Sequence, residues 1–162
     1  MTINKWKNDI EQKRFFKYYA ELLKPRTVLE VGSGYGRLAK LFENTFYVGI
    51  DKNRAHLRKE KYQNRVLMRA PYLGFNIKFD LTYSCTALML NENADDVIRE
   101  MARLSRKHVI FLETRKELHW AFKHPYEKIL SEKGFGLEEK INLRSNQSHL
   151  TLWRFKKMKK HE

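Results

Sequence analysis

The chain of 162 residues has one cysteine, Cys85, so no internal disulfide can staple it, and a single thiol fits a reducing cytoplasm. It holds three prolines and seven glycines, with no Gly/Ser linker, internal repeat or low-complexity tract. That leaves one domain, residues 1–162, with a single core. No apolar run approaches the roughly 20 residues of a membrane span. Residues 1–7 carry charge and a tryptophan but no apolar signal core, so a cytoplasmic protein is expected. Acid is scarce: 19 Asp and Glu stand against 33 Lys and Arg, for a net charge of +14. A basic surface favours polyanions such as RNA, DNA or acidic membranes. It is equally the ordinary solvated face of a lysine-rich protein, and no RNA-binding module or glycine-arginine tract accompanies it.

What is present is most concentrated between Thr27 and Phe42. A β-branched, apolar run, Thr27 to Val31, turns abruptly into glycines at alternate positions, Gly32, Gly34 and Gly36. Leu38, Leu41 and Phe42 follow at helical spacing. This reads as strand, tight turn, helix, with the turn a cradle for a nucleotide-like ligand at the carboxyl end of the first strand. A dinucleotide fingerprint requires a third glycine at position 37, which is arginine, and no P-loop run exists. The run is E-x-G-x-G-x-G, starting at Glu30. Phe46 to Asp51 reads as a second buried strand ending in a carboxylate, placed to take both hydroxyls of a ribose.

Glu30 to Gly36, Asp51, and the strand Phe79-Asp80-Leu81-Thr82-Tyr83-Ser84 resemble, in order, the motifs of class I S-adenosylmethionine-dependent methyltransferases of small, single-domain type. The resemblance covers residues 25–155. It implies an α/β, Rossmann-like sheet of seven strands, mostly parallel, with helices on both faces and an antiparallel last strand. It implies S-adenosyl-L-methionine as cofactor, leaving S-adenosyl-L-homocysteine as product. The residues expected to hold it are Glu30, Gly32, Ser33, Gly34, Gly36, Asp51, Lys52, Ala70 and Ser84. Glu30 is expected to hold the glycine loop or meet the methionine ammonium. Arg69 stands where the family often has an acid for the adenine amino group, so the backbone at Ala70, with Pro71 or Tyr72, is expected to read the base instead.

The rest of the chain fits that plan. Residues 3–23 place Ile3, Trp6, Ile10, Phe15 or Phe16, Tyr19 and Leu22/Leu23 near one helical face, ended by Pro25. Helices are expected at 36–43, 53–61 (capped by Asn53), 91–105 and 117–132. Val97, Ile98, Met101 and Leu104 should face inward. Strands are expected at 27–31, 45–50, 65–68, 79–84, 108–112, 137–143 and 149–155. Strands alternating with helices argue a parallel sheet covered on both faces. Residues 1–24 form an N-terminal helical segment, 25–155 the core and 156–162 a basic tail.

On the acceptor side the sequence is thinner. Tyr83-Ser84-Cys85-Thr86 lacks the Asn/Asp-Pro-Pro-aromatic run that goes with methylation of base amino groups. Cys85 lacks the preceding proline of cytosine-methylating enzymes and reads as packing. The segment 113–126 follows strand five and concentrates His119, Trp120, His124 and Tyr126. His119, His124 and Tyr126 are the catalytic candidates, an imidazole being able to take a proton near neutrality. The bland alternative makes the rings core and the histidines surface. No acid or thiol sits at ligand spacing from the histidines, so no metal is expected. The expected reaction moves a methyl group to an O or N nucleophile of a small-molecule acceptor. RNA methylation through the basic surface, or a non-catalytic partner subunit of the same fold, are the alternatives.

Overall fold

In the computed structural model, residues 3–59, 64–91, 94–114, 124–145 and 148–159 are described. Seven strands form one sheet in the order β3-β2-β1-β4-β5-β7-β6. They are β1 (Thr27–Val31), β2 (Phe46–Asp51), β3 (Arg65–Leu67), β4 (Phe79–Cys85), β5 (Ser105–Thr114), β6 (Phe135–Ser145) and β7 (Ser148–Lys157). The first five run parallel to one another. Strand β7 is antiparallel to both β5 and β6. Strand order reverses between β1 and β4, and in such sheets the crevice at the reversal is the ligand site.

Helices cover both faces, which is why the central strands are apolar throughout. Every residue of β4 is buried, as expected of a strand enclosed on both sides. On one face α3 (Ala94–Leu104) and α4 (Tyr126–Glu132) pack against Leu29, Val31, Phe79, Val109 and Phe111. In α3 the residues expected to face inward are all buried. Asp95 and Asp96 occupy its first turn and Arg103 its last, matching the helix dipole. On the other face α1 (Ile3–Leu23) sets Phe16 and Tyr19 against Val28, Leu81 and Tyr83. Ile10 and Leu22, expected on that buried face, are exposed instead, at 52% and 51%. Helix α1 ends before Pro25, with Lys24 left-handed at φ 42°.

Two helices are shorter than expected. The stretch 36–43 is only a 3-10 turn, Ala39–Phe42. Gly36 is still left-handed at φ 67°, so helical geometry begins late. At the other end Thr45 donates both its N–H (3.0 Å) and its hydroxyl (2.7 Å) to the Phe42 carbonyl, ending the turn. Helix α4 begins at Tyr126 behind Pro125 and stops before left-handed Gly134. The part of the expected 117–132 helix over 117–123 lies outside the described residues, as do His119 and Trp120. Asn53 caps α2 (Arg54–Lys59) as expected, its Oδ1 accepting the Ala55 N–H at 2.9 Å.

Candidate functional site

The glycine loop leaves β1 at the sheet's carboxyl edge with Gly32, Gly34 and Gly36 at φ 81°, 58° and 67°. These left-handed angles are costly for any residue with a Cβ. The three glycines are not equivalent. A Cβ on Gly32 would lie 2.3 Å from the Cβ of Ala87, so Gly32 admits the loop after β4. A Cβ on Gly34 would meet nothing within 4 Å, so this is the open face of the loop. The structure directs amides of this loop inward. Gly32 and Ser33 both donate to the Ile50 carbonyl at 2.9 Å, Gly34 donates to Asp51 Oδ2 at 2.9 Å, and Gly36 donates to the Ser33 carbonyl at 3.0 Å. The polypeptide satisfies these four donors, and the Cβ-free surface at Gly34 is open to a ligand.

Asp51 is the hinge of this arrangement. Its Oδ2 holds the glycine loop through Gly34, and its Oδ1 accepts the Asn53 N–H at 2.7 Å. Each oxygen keeps a further lone pair for a hydroxyl donor. His56 Nδ1 stands 3.6 Å from Oδ1, and the His56 ring packs on Tyr35 at 4.5 Å between centroids. Tyr35 and His56 were not foreseen, because their approach depends on the fold of the loop over α2. Lys52 is exposed at the end of β2. Arg69 is exposed too, while Ala70 is half-buried against the core behind Val66 and Met68.

Glu30 turns away from the crevice. It is 2% exposed, and its Oε2 accepts the hydroxyls of Tyr47 (2.5 Å) and Tyr83 (2.7 Å). Strand alternation explains this: Glu30 points to the α1 face, where it pairs laterally with Gly49 and Tyr83. Gly49 makes room, since a Cβ there would lie 2.8 Å from the Tyr47 hydroxyl. Burial beside this carboxylate pushes the Tyr83 hydroxyl well up, so it stays a donor. Glu30 is a buried prop beneath the glycine loop rather than a group facing the crevice.

The ends of β4 and β5 are fastened to each other. Ser84, expected to touch the cofactor, is fully buried and donates to Glu113 Oε1 at 2.9 Å. The same carboxylate accepts the N–H groups of Ala87 (3.3 Å), Leu88 (3.2 Å) and Met89 (3.3 Å), holding the loop that abuts Gly32. Burial raises the Glu113 carboxyl's pKa despite these donors. Thr86 is left-handed at φ 54°, with its N–H on the Leu112 carbonyl at 2.8 Å. A strained threonine survives only where its surroundings over-determine it, and such positions cluster at functional sites. Arg37, on the glycine loop's far side, reaches Thr86 Oγ1 (3.3 Å) and Cys85 Sγ (3.5 Å) with Nη2, and Asp9 of α1 with Nη1. Buried Gln12 of α1 accepts from the Cys85 thiol at 3.5 Å. Burial pushes that thiol's pKa far up, so Cys85 packs and is no nucleophile.

Of the catalytic candidates, the described residues include His124 and Tyr126. Tyr126 is packed between Phe111 (4.6 Å) and Trp153 (4.9 Å). Burial, with Glu113 and Asp95 nearby, drives its pKa far up, so it holds its proton and acts as a core ring. His124 is different: its side chain is 3% exposed, Nδ1 lies 3.0 Å from Asp95 Oδ1, and Nε2 is buried with no hydrogen-bond partner among the described residues. Asp95 was not foreseen from the sequence, and only the packing of α3 beside Pro125 brings it to the imidazole. A separate cavity of about 530 Å³ runs along α1 against β6, lined by Phe15, Tyr18, Tyr19, Ile141 and Leu143 among others.

The residues at the crevice fit a nucleoside carrying a chain: a Cβ-free face at Gly34, a strand-end carboxylate at Asp51 and charged groups at Arg37 and Asp9. A family profile described as "Methyltransferase domain" matches residues 29–112. No curated protein matches by sequence. Among solved structures, magnesium protoporphyrin IX methyltransferase from Synechocystis with bound SAH superposes with a TM-score of 0.77 at 17% identity, over 92% of this chain and 84% of that one. N-methyltransferase NodS from Bradyrhizobium japonicum, in complex with S-adenosyl-L-homocysteine, gives 0.76 at 18% identity, over 92% and 87%. The CcbJ methyltransferase from Streptomyces caelestis gives 0.70 at 14%, over 88% of each chain. At such identities the likeness establishes the fold.

Proposed function

The chain belongs to the methyltransferase-domain family, whose methyl donor is S-adenosyl-L-methionine, and on that premise we propose that it methylates an O or N nucleophile of a small-molecule acceptor. The observation that carries the cofactor site is the junction of Asp51 with Gly34, 2.9 Å across, which joins the carboxylate assigned here to the ribose to a loop glycine whose face is open.

When bound, the cofactor supplies a methyl carbon already activated by a sulfonium. The protein's part is alignment, exclusion of water and, for a protonated acceptor, removal of a proton. Asp51 accepts the ribose hydroxyls with the lone pairs that Gly34 and Asn53 leave. Met68 and Ala70, half-buried beyond β3, offer an apolar and backbone edge to the base. Helix α1 covers the crevice beside β4. His124 takes the acceptor's proton at Nε2, because a proton on Nδ1 shared with Asp95 leaves Nε2 as the lone-pair nitrogen.

Calorimetric titration with S-adenosylmethionine and S-adenosylhomocysteine, with NAD as control, tests the reading. Saturable binding to the first two and none to NAD is expected. Asp51→Ala should weaken both by about 1–3 kcal/mol through lost hydrogen bonds. Absence of binding, or binding indifferent to Asp51→Ala, overturns the assignment.

A further inference from the structure

An amino-acid end needs two partners, an acceptor for its ammonium and a donor for its carboxylate. Glu30, the acid nearest in sequence to the glycine loop, is turned into the core against Tyr47 and Tyr83. The amides of Gly32, Ser33, Gly34 and Gly36 are spent on Ile50, Asp51 and Ser33. Neither of the groups first expected to face the crevice is therefore free to serve the amino-acid end.

One ion pair stands at the carboxyl edge in their place. Arg37 leaves the glycine loop and lies across the end of β4, and Asp9 reaches it from α1. Both are partly exposed, at 31% and 35% of the side chain. Among the described residues Arg37 Nη2 meets only neutral oxygen and sulfur, at 3.3 Å and 3.5 Å. These are long, weak contacts that a carboxylate would improve upon, since charge-assisted bonds are shorter and stronger. Asp9 gives Oδ1 to Arg37, and its Oδ2 has no hydrogen bond among the described residues.

We infer that Arg37 and Asp9 form a zwitterion clamp: Arg37 holds the α-carboxylate of the cofactor and Asp9 its α-ammonium. The inference rests on the S-adenosylmethionine reading above and adds the residues that recognise its amino-acid half. It also gives α1 a part in ligand recognition, because the acid of the clamp belongs to that helix. The pair is charge-balanced without ligand, so it carries no net charge into the crevice, and it matches a zwitterion without altering that balance.

The test compares three ligands in calorimetry: S-adenosylhomocysteine, decarboxylated S-adenosylmethionine, which keeps the ammonium, and 5′-methylthioadenosine, which has neither group. Arg37→Gln should weaken S-adenosylhomocysteine roughly tenfold or more while leaving the other two undiminished. Asp9→Asn should weaken the two ammonium ligands and leave methylthioadenosine unchanged. If Arg37→Gln does not fold, Arg37→Lys serves, since a lysine loses the planar fork that grips a carboxylate; the same ligand ranking is expected with a smaller loss. Equal loss for methylthioadenosine, or no loss for S-adenosylhomocysteine, overturns the clamp. Failure of the unmodified protein to bind any of the three strikes the cofactor reading instead.

Discussion

Two alanine substitutions two residues apart separate what the glycine loop does for the fold from what it does for a ligand. At Gly32 the new methyl meets two penalties. The φ of 81° is left-handed, worth about 1–2 kcal/mol for a residue with a Cβ. The Cβ would also lie 2.3 Å from Ala87 Cβ, so the β4 loop must move, and overpacking of that kind costs about 1–3 kcal/mol. That loop is pinned to Glu113 by three N–H groups, so it yields poorly. Gly32→Ala should therefore lose roughly 2–5 kcal/mol, lowering Tm by about 5–15 °C for a chain this size. At Gly34 only the φ penalty applies, about 1–2 kcal/mol, because nothing lies within 4 Å. Gly34→Ala should keep most of its stability and lose affinity for S-adenosylhomocysteine, its methyl standing on the ligand's side. Thermal melts and calorimetry on the two variants decide the matter. Equal destabilisation of both, or undiminished binding by Gly34→Ala, would refute the division of labour.

Tyr83→Phe should cost about 1–3 kcal/mol in urea unfolding, because it takes one donor from the buried Glu30 carboxylate; a loss near zero would show that Glu30 does not depend on it. Asp80 anchors the amino edge through the Arg26 N–H (3.0 Å), Arg106 (3.1 Å) and Lys107 (3.2 Å). Burial acts to raise its pKa, but these partners together hold it below the ordinary 3.8. A depressed carboxylate stabilises the fold above its unfolded pKa and loses that contribution as pH falls through the folded one. Asp80→Asn should therefore flatten the stability loss below about pH 4; an unchanged acid limb would count against it. For His124, nitrogen-15 NMR at neutral pH should find the proton of the uncharged imidazole on Nδ1, facing Asp95, and His124→Gln should leave S-adenosylhomocysteine affinity intact. A proton on Nε2 would remove His124 as the base.

The order of motifs along the chain determined the parallel sheet, the glycine turn and the place of Asp51. These are local properties: a β-branched run, left-handed turn positions and a carboxylate at a strand end are set by neighbours in sequence. The inward residues of α3 were legible for the same reason, their 3.6-residue period being strong. Which way the site's polar groups point was decided only by the tertiary structure. Glu30 faces Tyr47 and Tyr83 because adjacent strands bring two hydroxyls to the face on which it must lie. The loop amides turn inward because β2 presents the Ile50 carbonyl and Asp51 beside them. The truncated helix after the turn, the exposure of Ile10, and the meetings of Asp9 with Arg37 and Asp95 with His124 depend likewise on elements distant in sequence. Hydrogen-bond partners across 28 or 29 positions leave no periodic trace in the sequence, since only the packing of helices on the sheet brings them within reach.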